Sequence, residues 1–456
     1  MTGGPKGCII EHMKRDAYQE LVSWKVSERR KPLLLKGARQ SGKTYLLREF
    51  GKNEYRQAHY FNFEEHSQLG KFFEKNLDPR RILSDLAIYS KSPIHPQKDL
   101  IIFDEIQTSN AALNSLKYFQ EQAPEYHLAA AGSLLGVKLS SPGSFPVGKV
   151  NFLDLHPLTF LEFLDALGES RYRKILEETD EFRPYPEPFH KELVDLLHQY
   201  YFVGGMPEAV KSYAEKRNPE EVRQIQREII DSYVLDFAKH APASDIPKLT
   251  LIWDSLPRHL ARENRKFIFS AVKKGARARE YENALVWLED AGLIHRATAV
   301  QKSQFPLKHY ADRNCFKVYA LDIGLLGAMA QTPTTAIVER YRLFEEYKGA
   351  LAENFVAQQF IAFLGHGGLY YWQSAGGKAE IDFLLELEDR VYPLEVKSGI
   401  RPHARSLGSY ANQFSPDLLI RLNLLNLKRD AKICNFPLYA VSLLRKPGKL
   451  FREGAD

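Results

Sequence analysis

Cysteine is nearly missing from this chain: three in 456 residues, at Cys8, Cys315 and Cys434. None stands at CxxC spacing from another, which argues against a disulfide framework or a thiolate zinc site. Long apolar runs are missing as well. No stretch approaches the roughly 20 apolar residues that span a bilayer, and Met1 to Lys14 holds no apolar signal core. Nor is there a strong charge bias: 63 Lys and Arg stand against 57 Asp and Glu, a net +6. Any nucleic-acid surface must therefore be local. These absences predict a protein of the reducing cytoplasm with no membrane contact. The length suggests about three domains.

What is present is a phosphate-binding pattern. Gly37, Ala38, Arg39, Gln40, Ser41, Gly42, Lys43 and Thr44 fit G-x-x-x-x-G-K-[ST] at every fixed position. Leu33-Leu34-Leu35 precedes it and Tyr45-Leu46-Leu47 follows, so the loop sits between a buried strand and a helix start. Glycines let backbone N–H groups turn inward around a phosphate, and the helix N-terminus favours negative charge. Lys43 is placed to reach the β- and γ-phosphates of ATP, and the Thr44 hydroxyl to complete the shell of a Mg2+ ion.

A second apolar run, Leu100 to Phe103, closes on Asp104-Glu105. It reads as a buried parallel strand delivering two carboxylates to its C-terminal edge, where ligands bind in α/β sheets. Asp104 is expected to hold Mg2+ and Glu105 to polarise the attacking water. Tyr60 to Glu65 reads as another strand, and His127 to Ser133 as a third that ends on a small polar residue. Residues 20 to 160 thus alternate strand and helix patterns, which predicts a parallel sheet covered on both faces.

The C-terminal third carries a different set of acids. Glu353 lies on an amphipathic helix pattern with Leu351, Phe355, Val356 and Phe360 apolar. Strand patterns follow at Leu369 to Trp372, at Glu380 to Leu387 and at Val391 to Lys397. Glu395 and Lys397 are two apart and share a strand face. Asp382 and Glu395 on neighbouring strands would hold one divalent cation, with Glu353 adding a ligand from the helix. Lys397 would position water or stabilise charge on phosphate. Helix Glu, strand Asp and Glu-x-Lys in this order resemble the PD-(D/E)xK nucleases. Such cores also persist as binding domains. Tyr371 and Trp372 read as core residues.

Taken together the motifs resemble bacterial and archaeal AAA-type ATPases that carry a C-terminal domain of unknown function with a restriction-endonuclease-like core. The matching stretches are Gly37–Thr44, Phe103–Glu105, Ala131–Ser133, His156–Glu162, Gly204–Ala209, Tyr319–Leu325 and the acids above. The resemblance implies a γ-phosphate or water contact for Ser133, although a serine capping a turn fits equally. It also implies a helical lid after the core, over Phe160 to Ala241, with Gly204-Gly205-Met206-Pro207 as a hinge. Relatives carry Gly-Arg where this chain has Gly148-Lys149. A lysine lacks the bidentate fork of an arginine, so Lys149 is given no catalytic role.

Between these halves, Tyr281 to Ile294 reads as a helix stopped by Gly292 and entering a strand, which resembles a winged-helix unit. Its approach holds Arg258, Arg262, Arg265, Lys266, Lys273, Lys274, Arg277 and Arg279 against the single acid Glu263. Such density suits phosphate contact with DNA, or a solvated helix face. The expected architecture is α/β: an ATPase core over 1–160, a lid over 161–241, a winged-helix-like domain over 242–335 and a nuclease-like domain over 336–456. The expected ligands are ATP and Mg2+. DNA contact through 258–279 and the C-terminal domain, and self-association, are open expectations. So is a nucleotide-gated switch or scaffold that hydrolyses slowly and cuts nothing.

Overall fold

A computed structural model describes residues 13–140, 148–260, 266–334, 345–365, 368–374, 376–399, 405–445 and 448–451. Arg262, Glu263 and Arg265, singled out in the sequence, lie outside these. Packing divides the chain into two units. One is Lys14–His156 with Asp290–Leu293, and the other holds Pro157–Glu289 and Ile294–Asp456.

The first unit is built on five parallel strands: β1 (Leu33–Lys36), β2 (Gln57–Asn62), β3 (Asp99–Asp104), β4 (His127–Ala131) and β5 (Asn151–Asp154). Their order is β2-β3-β4-β1-β5. Every residue of β3 and β4 is buried, as continuous apolar runs in a doubly covered sheet must be. Successive residues feed opposite faces. Leu34, Ile101, Phe103, Leu128 and Ala130 pack with Leu86, Leu116 and Phe119. Leu33, Leu35, Leu100, Ile102, Ala129 and Ala131 pack with Trp24, Leu47 and Phe50. Because β4 lies between β1 and β3, the segments leaving all three strands open side by side at one sheet edge. Those segments carry the 37–44 loop, Ser133 and Glu105. No helix of the described residues is long and apolar enough to cross a membrane.

The second unit contains a mixed sheet of eight strands. They are β6 (Ile294–Val300), β7 (Ala311–Ala320), β8 (Leu369–Gln373), β9 (Glu380–Leu387), β10 (Arg390–Val396), β11 (Leu419–Asn423), β12 (Lys428–Asp430) and β13 (Ile433–Pro437). The order is β12-β13-β11-β10-β9-β8-β6-β7. Helices Ile246–Leu260, Phe269–Val272 and Ala278–Asp290 precede the antiparallel β6–β7 hairpin. The hairpin does not close on itself: β6 pairs in parallel with β8, so strands from both sides of residue 335 share one sheet.

The Gly204-Gly205 pair is a packed junction, where the sequence suggested a hinge. Val203 to Met206 are all buried. The fully buried Asp322 carboxylate accepts from Gly205 N (2.6 Å), Leu325 N (3.0 Å) and Gln358 Nε2 (3.0 Å). Gly204 has φ 72°, and a Cβ there would lie 2.2 Å from Asp322 Oδ1. Gly205 O in turn accepts from Leu158 N at 2.7 Å. Thr159 and Glu162 close a capping box on the helix Phe160–Ala166, which accounts for the spacing of the His156–Glu162 motif.

Candidate functional site

The 37–44 loop is shaped by contacts only these residue types allow. A Cβ on Gly37 would stand 2.2 Å from Leu155 O, and Gly42, with φ 93°, caps the helix Lys43–Glu54 in the left-handed region. Gln40 also takes a positive φ, 63°. Ser41 and Lys43 are buried, and the Lys43 ammonium donates to Gly37 O (2.9 Å) and Ala38 O (2.8 Å). From the other side, the buried Arg15 guanidinium donates to Ser41 O at 3.0 Å and to His156 O. It ties the loop to the segment that leaves β5.

At the adjoining strand end the acids fall where the sequence placed them. Thr44 Oγ1 donates to Asp104 Oδ2 at 2.7 Å, and Tyr60 OH donates to the same oxygen at 2.7 Å. Asp104 is 2 % exposed. Burial, then the hydrogen bond to Asp104, pushes the Tyr60 hydroxyl well above its ordinary pKa, so it stays a donor. Glu105 takes φ 50°, a left-handed conformation that costs a non-glycine residue about 1 kcal/mol or more. Strain of this kind is retained where surrounding structure demands it. Here it delivers the carboxylate to Gln107 Nε2 (2.5 Å) and Ser133 Oγ (3.3 Å). Lys149 faces elsewhere, pairing with Glu121 at 2.9 Å.

Thr44 and Asp104 therefore fit a Mg2+ ion, since a hydroxyl and a carboxylate oxygen already converge beside the loop. Gly37 to Thr44, Asp104, Glu105 and Ser133 are brought to one edge. Arg15, Tyr60 and Gln107 were missed by motif reading. None of the three carried a local signal, since their contacts at the site come from residues apart in the chain or from a side chain no motif names.

The C-terminal acids converge differently from expectation. Their focus is Lys317 on β7, wholly buried, whose ammonium forms an ion pair with Glu380 and lies 3.7 Å from Glu353 Oε2 and 3.9 Å from Asp382 Oδ1. It also sits 4.9 Å from the centre of the Tyr371 ring. Glu353 accepts from Tyr319 OH at 3.3 Å, and Asp382 Oδ2 from Val396 N at 2.8 Å. Glu395 turns instead to Lys397, at 3.1 Å. Burial raises the Glu395 carboxyl above its ordinary pKa, with Lys397 opposing the shift, and Oε2 of Glu395 is buried without a hydrogen-bond partner. Among the described residues no group of three or more His, Cys, Asp or Glu side chains is disposed to hold a metal. The metal set Glu353, Asp382 and Glu395 is thus not assembled as such: a lysine stands among two of the three. Lys317 and Glu380 were missed, though a single charge within Phe316-Lys317-Val318-Tyr319-Ala320 signals a buried partner.

Five parallel strands with the loop and the paired acids at one edge form an α/β fold of the P-loop NTPase type. In agreement, a sequence profile described as AAA domain matches residues 29–164. Two others match further along: a domain of unknown function (DUF8612) over 194–336 and a domain of unknown function (DUF4143) over 348–440. No curated protein gives a significant match. Solved structures similar to the chain include the Walker-type ATPase paby2304 of Pyrococcus abyssi, 16% identical, covering 70% of this chain and 96% of that one with a TM-score of 0.44. The Aeropyrum pernix Orc1 protein, solved in complex with DNA, is 14% identical over 70% of this chain and 92% of its own, with a TM-score of 0.30. AMPPCP-bound DnaA from Aquifex aeolicus is 14% identical over 63% and 91%, also with a TM-score of 0.30.

Proposed function

We propose that this chain is an ATP-hydrolysing AAA-type ATPase whose nucleotide cycle drives a nuclease-like, nucleic-acid-facing second unit. The observation that carries the ATPase reading is the meeting of Thr44, Asp104 and Glu105 beside the loop. Lys43 leaves its loop carbonyls to neutralise the β- and γ-phosphates, while loop N–H groups cradle them. Thr44 and Asp104 would hold Mg2+, which would supply charge neutralisation on the phosphate oxygens. Glu105, aimed by its contacts with Gln107 and Ser133, orients water and accepts its proton as the γ-phosphate is attacked. Ser133 is near enough to Glu105 to report on that water.

Glu105→Gln keeps the shape and removes the base. We expect ATP-dependent thermal stabilisation to persist while turnover falls by about 10^2-fold or more. Lys43→Ala is expected to lose the stabilisation itself. Turnover by Glu105→Gln equal to wild type would remove Glu105 from this role, and undiminished ATP stabilisation of Lys43→Ala would overturn the loop assignment. For the second unit, Lys317 among the acids favours a nucleotide-gated switch that binds without cutting, over metal-dependent cleavage by Asp382, Glu395 and Lys397.

A further inference from the structure

Three acids of the second unit converge on a buried lysine from another strand. Lys317 enters from β7, Glu380 and Asp382 from β9, and Glu353 from the helix Glu345–Leu364. Lys317 is 0 % exposed, Glu353 2 % and Asp382 8 %. A lysine ammonium buried alone would shed its proton, and carboxylates buried together would repel one another. Each group here supplies what the other lacks. Lys317 Nζ lies within 4 Å of all three carboxylates, at 3.7 Å from Glu353 and 3.9 Å from Asp382 and hydrogen-bonded to Glu380. The face of Tyr371, 4.9 Å away, adds the negative side of an aromatic ring.

We infer that Lys317 is the resident cation of this cluster and holds the place that a divalent metal would take. Its backbone is held by the strand: Lys317 pairs with Ala297 across the β6–β7 ladder and with Lys266 in an isolated bridge, so the side chain starts from a fixed point beside the acids. Glu395, on the strand next to Asp382, is drawn off by Lys397 at 3.1 Å and keeps its other oxygen buried without a hydrogen-bond partner. That oxygen is the acceptor left over for a metal once the Lys317 ammonium no longer occupies the centre of the other three acids. Wild-type protein is accordingly closed to divalent cations here, and removal of the lysine charge opens it.

The assay is Mn2+ binding to nucleotide-free full-length protein, by calorimetry and by the shift in melting temperature. Four proteins are compared: wild type, Asp382→Asn, Lys317→Met and the Lys317→Met/Asp382→Asn double variant. Wild type and Asp382→Asn are expected to take up Mn2+ equally, because neither offers the cluster. Lys317→Met is expected to melt earlier and to be rescued by Mn2+, which it binds at one additional site about tenfold or more tighter than wild type does. The double variant loses that site. Uptake of a Mn2+ ion by wild type that Asp382→Asn abolishes would overturn the inference, and this comparison decides alone if Lys317→Met does not fold. A folded Lys317→Met indifferent to Mn2+ would overturn it too. No nucleotide enters the assay, so its failure leaves the ATPase reading untouched.

Discussion

At the scale of single residues the nucleotide site was legible because its chemistry is local. Eight consecutive positions specify the loop, and the Asp104-Glu105 pair follows a strand visible as four apolar residues. What escaped was the side chain that arrives from elsewhere. Arg15 is 26 positions from Ser41 and 141 from His156, separations that no local pattern encodes. Its role can be tested. Arg15→Met keeps most of the apolar stem but leaves Ser41 O and His156 O without this donor, and a buried carbonyl so orphaned costs about 1–3 kcal/mol. Part of that loss falls on loop geometry, so ATP affinity by calorimetry is expected to weaken about tenfold, at a smaller change in turnover at saturation. ATP affinity equal to wild type would mean the guanidinium only braces the fold. The same limit hid Lys317. Its partners lie 36 to 65 positions away, and only the oddity of a charge in an apolar run announced them.

Among elements, the parallel core was readable from apolar runs, since burial on both faces leaves one pattern. The Gly204-Gly205 segment was not. Paired glycines beside proline are the composition of a flexible turn, and equally that of a crowded junction, because both need backbone freedom and small volume. Packing decided between them: Gly204 abuts Asp322, whereas Gly275, also at positive φ, has nothing within 4 Å of where a Cβ would stand. The contrast yields a paired prediction. Gly275→Ala bears only the left-handed strain, about 1 kcal/mol. Gly204→Ala adds a clash with a buried, hydrogen-bonded carboxylate, and is expected to lose about 3 kcal/mol or more in urea unfolding. Equal losses for the two variants would restore the hinge. The winged-helix resemblance fared in between. The helix and the strand that follows Gly292 form, with Leu285 and Leu288 buried, but nothing in β6 reveals that it pairs with β7 in a hairpin or that its other edge is taken by a strand some 70 residues downstream.

For the molecule as a whole, charge distribution matters more than charge total. A net +6 over 456 residues gives little long-range attraction for DNA. Affinity must then come from where cations gather, and the described part of the basic segment gathers them at one turn. Lys273, Lys274, Arg277 and Arg279 are all exposed within seven residues, at the start of the helix Ala278–Asp290. Arg296 is engaged instead with Glu282 and Glu289, each at 3.1 Å, so it is committed to the helix and not to solvent. If the four exposed cations meet phosphates, each releases about one counterion on binding. Replacing all four with Gln is therefore expected to lower the slope of log K against log salt by about 3 to 4, measured by fluorescence anisotropy on a duplex of mixed sequence. Affinity should fall by a similar factor on unrelated sequences, because phosphate contacts carry no base information. A variant whose slope matches wild type would assign any DNA affinity to other surfaces and leave this turn a solvated helix start. The measurement with ATP, ADP and no nucleotide then asks what the loop at Gly37 to Thr44 governs: a DNA affinity that differs among the three states is the coupling the proposed function requires, and one that is constant across them separates the ATPase from nucleic-acid binding altogether.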